Sequence, residues 1–253
     1  MRREIPIFID SGAPGATTNN NSTTIYISPT LVFPKQHHVT FVAVNASMWY
    51  VTPNVSIALG NNTWTFTIGA TTTTYVFPDG LYSLSDIQEA LSNFLVNDGF
   101  SATLFIVGGI ESTGNTTITI NGTGVSINFA TNTIGGTGLL GFTTNIVSNA
   151  TSGTVYLSDQ TATFNKIESF LFHLSICNGS VYNGRSSTDV VLKAIPDVSA
   201  GSQIRLEPNN LFSCTVLQRE VDRVTLYITD QDGNSVDLRG ESFSIMGYIQ
   251  IED

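Results

Sequence analysis

A side-chain period of two, repeated in short runs that turn-forming residues break up, constrains this chain more than any other feature. Val224, Leu226 and Ile228 alternate with Thr225, Tyr227 and Thr229, and Phe243, Ile245, Gly247 and Ile249 resume the same period. That is the pattern of strands with one buried face. Between them lies Asp232-Gly233-Asn234, whose residues accept the positive φ of a tight turn. The stretch therefore predicts a closing hairpin, two strands side by side in one sheet. Comparable runs occur at 39–45 (VTFVAVN), 55–59, 64–68, 74–77, 102–107, 116–121, 125–130, 155–157, 190–194, 204–206 and 211–217. The long apolar run 167–177 reads as a central strand. Many short strands punctuated by turns indicate a sandwich or barrel. Strands poor in charge and covered on both faces suit a jelly roll, in which two sheets pack face to face.

One segment departs from this period. Ile87, Leu91, Phe94 and Leu95 share one face of a helix, which Ser85 and Gln88 open as a capping-box pair and Asn97-Asp98-Gly99 stops. The expected fold is all-β, a single jelly-roll β-sandwich with one helix from Ser83 to Asn97. Residues 1–36 read as an N-terminal arm. Two short extended pieces, at 5–9 and 24–28, flank a Gly/Pro/Thr/Asn loop, and Pro29 and Pro34 interrupt regular structure. Such an arm either reaches a neighbouring subunit or frays. The jelly-roll domain then covers 37–253, and no linker divides it. Residues 84–163 have two placements, integrated in the sandwich or forming an excursion from it.

Composition narrows the function classes. The chain has 253 residues, 41% hydrophobic and only 12% charged, about half the usual charged fraction. Hydroxyl and amide side chains fill the polar positions, which suits subunits that bury surface against neighbours. A net charge of −10 opposes direct binding of nucleic acid, which needs Lys and Arg against phosphate. Arg2 and Arg3 form only a small basic pair. Cys177 and Cys214 sit in apolar runs and are expected to be reduced, buried thiols rather than a disulfide framework. No apolar run has transmembrane length, and the charged opening MRREIP does not read as a signal peptide. The Asn-x-Ser/Thr triplets at Asn45, Asn54 and Asn178 are read as unglycosylated.

No catalytic, metal or cofactor motif stands out. His37 and His38 are neighbours at the start of a strand, so they point to opposite faces and do not share a metal. His173 lies within the 167–177 run and reads as a hydrogen-bonded strand histidine. Asp230, Asp232 and Asn234 resemble the start of a calcium loop but lack its downstream glutamate and flanking helices, so a turn is the better reading. Asp237, Arg239 and Glu241 follow as an ion-pairing group, within the chain or between subunits.

Several short motifs occur together in order. They are VTFVAVNASMWYVTPN at 39–54, FPDGLYSLSDI at 77–87, the corner formed by 125–129 with Leu139-Leu140-Gly141-Phe142, and the run 167–184 with its Tyr182-Asn183-Gly184 turn. PDVSAG at 196–201, Glu207-Pro208-Asn209 and the block 230–241 complete the series. In this order they resemble the penton (minor capsid) proteins of polinton-like viruses, adintoviruses and virophages, which have a single jelly roll. Residues 1–36 carry no matching segment. The resemblance implies a structural virion protein with no cofactor and no enzymatic activity. It implies a homopentamer that closes the five-fold vertices of an icosahedral capsid, made in the infected cell and not secreted. Its implied partners are other copies of itself, a double jelly-roll major capsid protein, and a vertex spike or other minor capsid proteins. A closed ring needs heterologous flank-to-flank contacts, and Asp237, Arg239 and Glu241 are the candidate subunit-contact residues.

Two other functions remain open. One is a receptor- or carbohydrate-binding viral β-sandwich, a fibre or spike head, presenting Trp49, Tyr50 or Trp64. The other is a β-sandwich glycosidase, which has no outstanding acid pair. Fold alone does not choose among these.

Overall fold

The computed structural model describes the chain apart from residues 1–2, 35–36, 130–132, 137–138, 144–145, 150, 165–166, 179, 183–184 and 253, and apart from the side chains of 135–136, 146–149, 180–182 and 185–188. It divides into two compact units, Met1–Thr52 with Ile167–Asp253, and Pro53–Lys166. The first unit opens with β1 (Arg3–Asp10), β2 (Thr17–Asn19), β3 (Ser22–Val32) and β4 (His38–Trp49). The second contains β5 (Thr63–Ile68), β6 (Thr71–Val76), α1 (Leu84–Asn97), β7 (Phe105–Ile110), β8 (Asn115–Ile120), β9 (Val125–Asn128), α2 (Thr133–Gly136), β10 (Ile146–Asn149) and β11 (Thr154–Thr161). The chain then completes the first unit with β12 (Phe170–Leu174), β13 (Cys177–Asn178), β14 (Ser180–Tyr182), β15 (Arg185–Thr188), β16 (Val190–Ala194), β17 (Gln203–Leu206), β18 (Phe212–Val216), β19 (Glu220–Asp230) and β20 (Phe243–Glu252).

The first unit is the jelly roll. One sheet runs β1-β20-β4-β18-β13, with β17 also on β4; the other runs β16-β12-β19-β3-β2. The period-two pattern explains the layering. Ile7, Ile9, Phe41, Met48, Ile245 and Ile249 are buried from the first sheet, and Phe170, Phe172, Val224, Leu226 and Ile228 from the second. Tyr50, just beyond β4, meets Phe170 of β12 edge to face at 6.1 Å, a favoured aromatic geometry. Gly247 sits where the β20–β4 register shifts. A Cβ there would lie 2.4 Å from both Phe41 Cζ and the Val42 carbonyl oxygen, so only glycine lets the two strands approach so closely.

The expected closing hairpin is not one. β19 pairs with β3 and β12, whereas β20 pairs with β1 and β4, so the two strands belong to opposite sheets. Residues 231–242 carry the chain from one sheet to the other, the kind of connection a sandwich with a jelly-roll chain path requires. Within the expected arm, Arg3–Asp10 and Ser22–Val32 are strands of the two sheets. β1 pairs with β20 residue for residue from Arg3↔Ile251 to Asp10↔Ser244, and β3 pairs with β19. Cys177 and Cys214 are not free thiols: they form a disulfide across adjacent strands, with their Cα atoms 5.6 Å apart. Asn183 and Gly184 of the expected turn, and Ala130 at the end of the expected strand 125–130, lie outside the described residues.

The second unit starts well before residue 84, at Pro53. It has a four-stranded sheet, β10-β9-β5-β6, and a three-stranded sheet, β11-β8-β7. Its own core gathers Trp64, Phe66, Phe105, Ile118, Ile120, Phe129, Leu139, Leu140 and Phe142 with Ile87, Leu91 and Leu95 of α1. Trp64 stands edge-on to Phe105 and Phe129. The run 55–59 is a turn rather than a strand, leaving Ile57 and Leu59 exposed. The cap of α1 is Ser83 with Asp86, two residues ahead of the expected Ser85–Gln88 pair. Gln88 turns instead to β7: its Oε1 accepts from Val107 N and its Nε2 donates to the Phe105 carbonyl.

Candidate functional site

The three residues expected at a subunit contact are grouped in the 231–242 connection, and all three are exposed. Buried Val236 and Leu238 anchor the segment between them, and Leu238 N donates to Asn20 Oδ1 at 2.9 Å. Asp237 Oδ1 accepts from Arg239 N at 2.8 Å. Arg239 takes the left-handed conformation, with φ 54°, and Glu241 N donates to the Leu238 carbonyl at 2.9 Å. The segment is thus pinned by backbone bonds and buried apolar side chains, with its three charged tips facing outward.

The preceding turn is built around Asp230. Its Oδ1 accepts from Asp232 N at 2.9 Å and Asn234 N at 2.8 Å, and its Oδ2 accepts from Asn234 Nδ2 at 2.9 Å. The carboxylate is therefore spent on the turn's own donors, an Asx-type closure rather than a cation loop.

A further polar cluster lies on the second jelly-roll sheet. β12 and β19 place His173 opposite Tyr227 and Leu171 opposite Thr229. Asp189, just before β16, brings its Oδ1 to 2.8 Å from His173 Nδ1 and accepts the Tyr227 hydroxyl on Oδ2 at 2.7 Å. A carboxylate only accepts, so this contact fixes a proton on His173 Nδ1. The His173 and Tyr227 rings stack at 4.4 Å. Burial pushes the Asp189 carboxyl up, but the hydrogen bonds from His173 and Tyr227 and the attraction of the imidazole hold it below its ordinary 3.8. Burial, the hydrogen bond to Asp189 and the repulsion of its carboxylate push the Tyr227 phenol well above its ordinary range.

Thr229 Oγ1 is 2.9 Å from His173 Nε2, so Asp189, His173 and Thr229 fall in the order of a nucleophile triad. Thr229 is buried, 6% exposed, and the Asp230 carbonyl, 3.1 Å from Oγ1, competes with His173 Nε2 for its single hydroxyl proton. A nucleophile must meet a substrate carbonyl, and this hydroxyl faces protein. The cluster's geometry is that of a structural network. His173 is the hydrogen-bonded strand histidine that its place in the 167–177 run indicates, whereas Asp189 and Tyr227 carry no sequence signal that pairs them with it. The alternation of Thr225, Tyr227 and Thr229 was the available sign of a polar outer face.

The aromatic candidates divide. Trp64 is fully buried and Tyr50 nearly so, while Trp49 is half-buried in β4. Trp64 packs against Phe105 and Phe129, and Tyr50 against Phe170.

The architecture defines a class: an all-β chain whose single jelly roll carries a second β unit with one long helix between its fourth and twelfth strands. The crystal structure of the selenomethionine-labelled mavirus penton protein has this fold, with a TM-score of 0.51 over 99% of both chains and 12% sequence identity. At that identity the likeness is one of fold, and it agrees with the virophage penton resemblance carried by the motifs in the sequence. No protein-family model matches the sequence, and no curated protein does.

Proposed function

We propose that this chain is a structural virion protein, a penton capsomer whose five copies close the five-fold vertices of an icosahedral capsid. The observation that carries the reading is the end-to-end correspondence with the mavirus penton protein, 99% of both chains, jelly roll and second unit together. The low charge supports it, since surfaces that meet other subunits are depleted in charge at their centres. In this reading the jelly roll is the rigid wedge, and neighbouring copies meet flank to flank in a heterologous ring. The partners are further copies of the chain, a double jelly-roll major capsid protein, and a vertex spike or other minor capsid proteins. Asp237, Arg239 and Glu241 are assigned to the rim of the subunit contact, because they are exposed on an anchored segment.

Native mass spectrometry and electron microscopy of the purified protein, alone and with a major capsid protein, test this. Five-fold rings or five-fold density at a vertex are expected; a persistent monomer or trimer that never joins a shell overturns the reading. Arg239→Glu is expected to weaken the ring while leaving the monomer's thermal unfolding unchanged. Unaltered assembly removes Arg239 from the contact.

A further inference from the structure

A cleft of about 480 Å³ opens on the second jelly-roll sheet, within the usual volume of small-ligand sites. Its floor follows from strand register. Thr17 pairs with Thr24, and Thr24 with Thr225. Ser175, just beyond β12, accepts from Thr225 N through its Oγ at 2.9 Å. Four hydroxyls thus cross the sheet in one row, on the face opposite buried Val224 and Leu226. Thr24 and Thr225 already share a hydrogen bond of 2.9 Å, so the row is pre-organised.

Above it stand Tyr26 and Arg223, partners in register. Tyr26 is 69% exposed, so its ring face is open to a ligand. Asp222 and Gln218 complete the rim. Adjacent strand residues normally face opposite ways, but the register shift between Val221 and Arg223 lets both Asp222 and Arg223 line the cleft. Bulges commonly re-aim a side chain in this way. Among the described residues, the side chains of Tyr26, Gln218, Asp222 and Arg223 have no hydrogen-bond or ion-pair partner within the chain, so their donors and acceptors are available to a ligand.

We infer that this cleft binds a neutral saccharide of one or two rings. A sugar offers hydroxyls that donate and accept together, matching the hydroxyl row, the Gln218 amide, the Arg223 fork and the Asp222 carboxylate. Its C–H face fits the exposed Tyr26 ring. An apolar ligand would cover the Gln218 amide, the Arg223 guanidinium and the Asp222 carboxylate without giving them partners. An acidic sugar would meet Asp222 and the chain's net charge of −10. Its lining includes neither the residues assigned to the subunit contact nor the buried aromatics Tyr50 and Trp64.

Saturation-transfer NMR on the full chain tests it, with galactose, glucose, mannose, N-acetylglucosamine, lactose and, as the acidic comparison, N-acetylneuraminic acid. Transfer to at least one neutral sugar is expected. Tyr26→Ala and Arg223→Ala, both surface changes, should each weaken it by about three- to tenfold, the effect of one good contact. Phe8→Ser, an exposed aromatic on the other sheet, should not. No transfer to any neutral sugar, transfer that both cleft variants leave intact, or a preference for the acidic sugar overturns the inference.

Discussion

Asp189 is where a single side chain most clearly sets a measurable property. Its carboxylate accepts from His173 and Tyr227 together, and hydrogen bonds to a charged group contribute about 1.5–3 kcal/mol. Because its native pKa is depressed, that stabilisation is present above the ordinary 3.8 and is lost as pH falls through the native value. Tyr227 has the opposite sign. Its raised pKa leaves stability intact below the ordinary 10.0 and removes it as pH climbs beyond that value. Asp189→Asn should therefore cost about 1–3 kcal/mol at neutral pH. The deficit should close on acidification below about pH 4. Urea unfolding at a series of pH values measures both; a deficit constant from pH 7 to pH 3 rules this account out. At this scale the sequence exposed His173 as a polar residue in an alternating strand. Its partners were hidden because strand pairing, not sequence distance, brings Asp189 and Tyr227 to it.

In the helix α1, two serines satisfy the same start signal, and the surroundings choose between them. Asn54 Oδ1 accepts from Tyr82 N and its Nδ2 donates to the Tyr82 carbonyl, fixing the backbone just ahead of Ser83. Ser83 Oγ then accepts from Asp86 N, and Asp86 Oδ2 accepts from Ser83 N, a reciprocal cap. These bonds also hold the Asp86 carboxyl below its ordinary value. Gln88, the expected partner in the cap, behaves like a residue of an adjacent strand and covers the free edge of β7. Ser83→Ala should cost about 1 kcal/mol, and Ser85→Ala much less; thermal unfolding of the two variants separates them, and equal losses count against the observed cap. The apolar face of the helix was legible because its period is local. Its start was displaced because the fixing contact comes from Asn54, outside the helix. The same logic explains the misread closing hairpin. The alternation of β19 and β20 is in the sequence, but their assignment to opposite sheets depends on β3 and β1, near the other end of the chain.

On the scale of the whole molecule, the chain is two units with separate cores, and sequence composition gave no linker because none is needed. The second unit closes on itself. Asn54, 4% exposed, donates to the Phe164 carbonyl at 3.1 Å as well as to Tyr82, and its own carbonyl accepts from Asn61 Nδ2 at 2.7 Å. One buried side chain thus joins the beginning of the unit to its end. The aromatic core around Trp64 and the buried face of α1 lies wholly between Pro53 and Lys166. A segment with its own core and closed ends has what an independent domain requires. Residues 53–166 expressed alone should therefore unfold cooperatively and keep the near-ultraviolet signal of a packed Trp64. Asn54→Ala should destabilise that fragment by about 2–3 kcal/mol, because it strands buried backbone groups at both ends. A non-cooperative fragment would show that residues 53–166 do not fold on their own, and a variant that unfolds like its parent would show that Asn54 does not hold the ends of the unit. Cooperative unfolding would instead mean that the jelly roll carries an autonomous module, one free to change its outer loops while the sheets of the first unit keep their register.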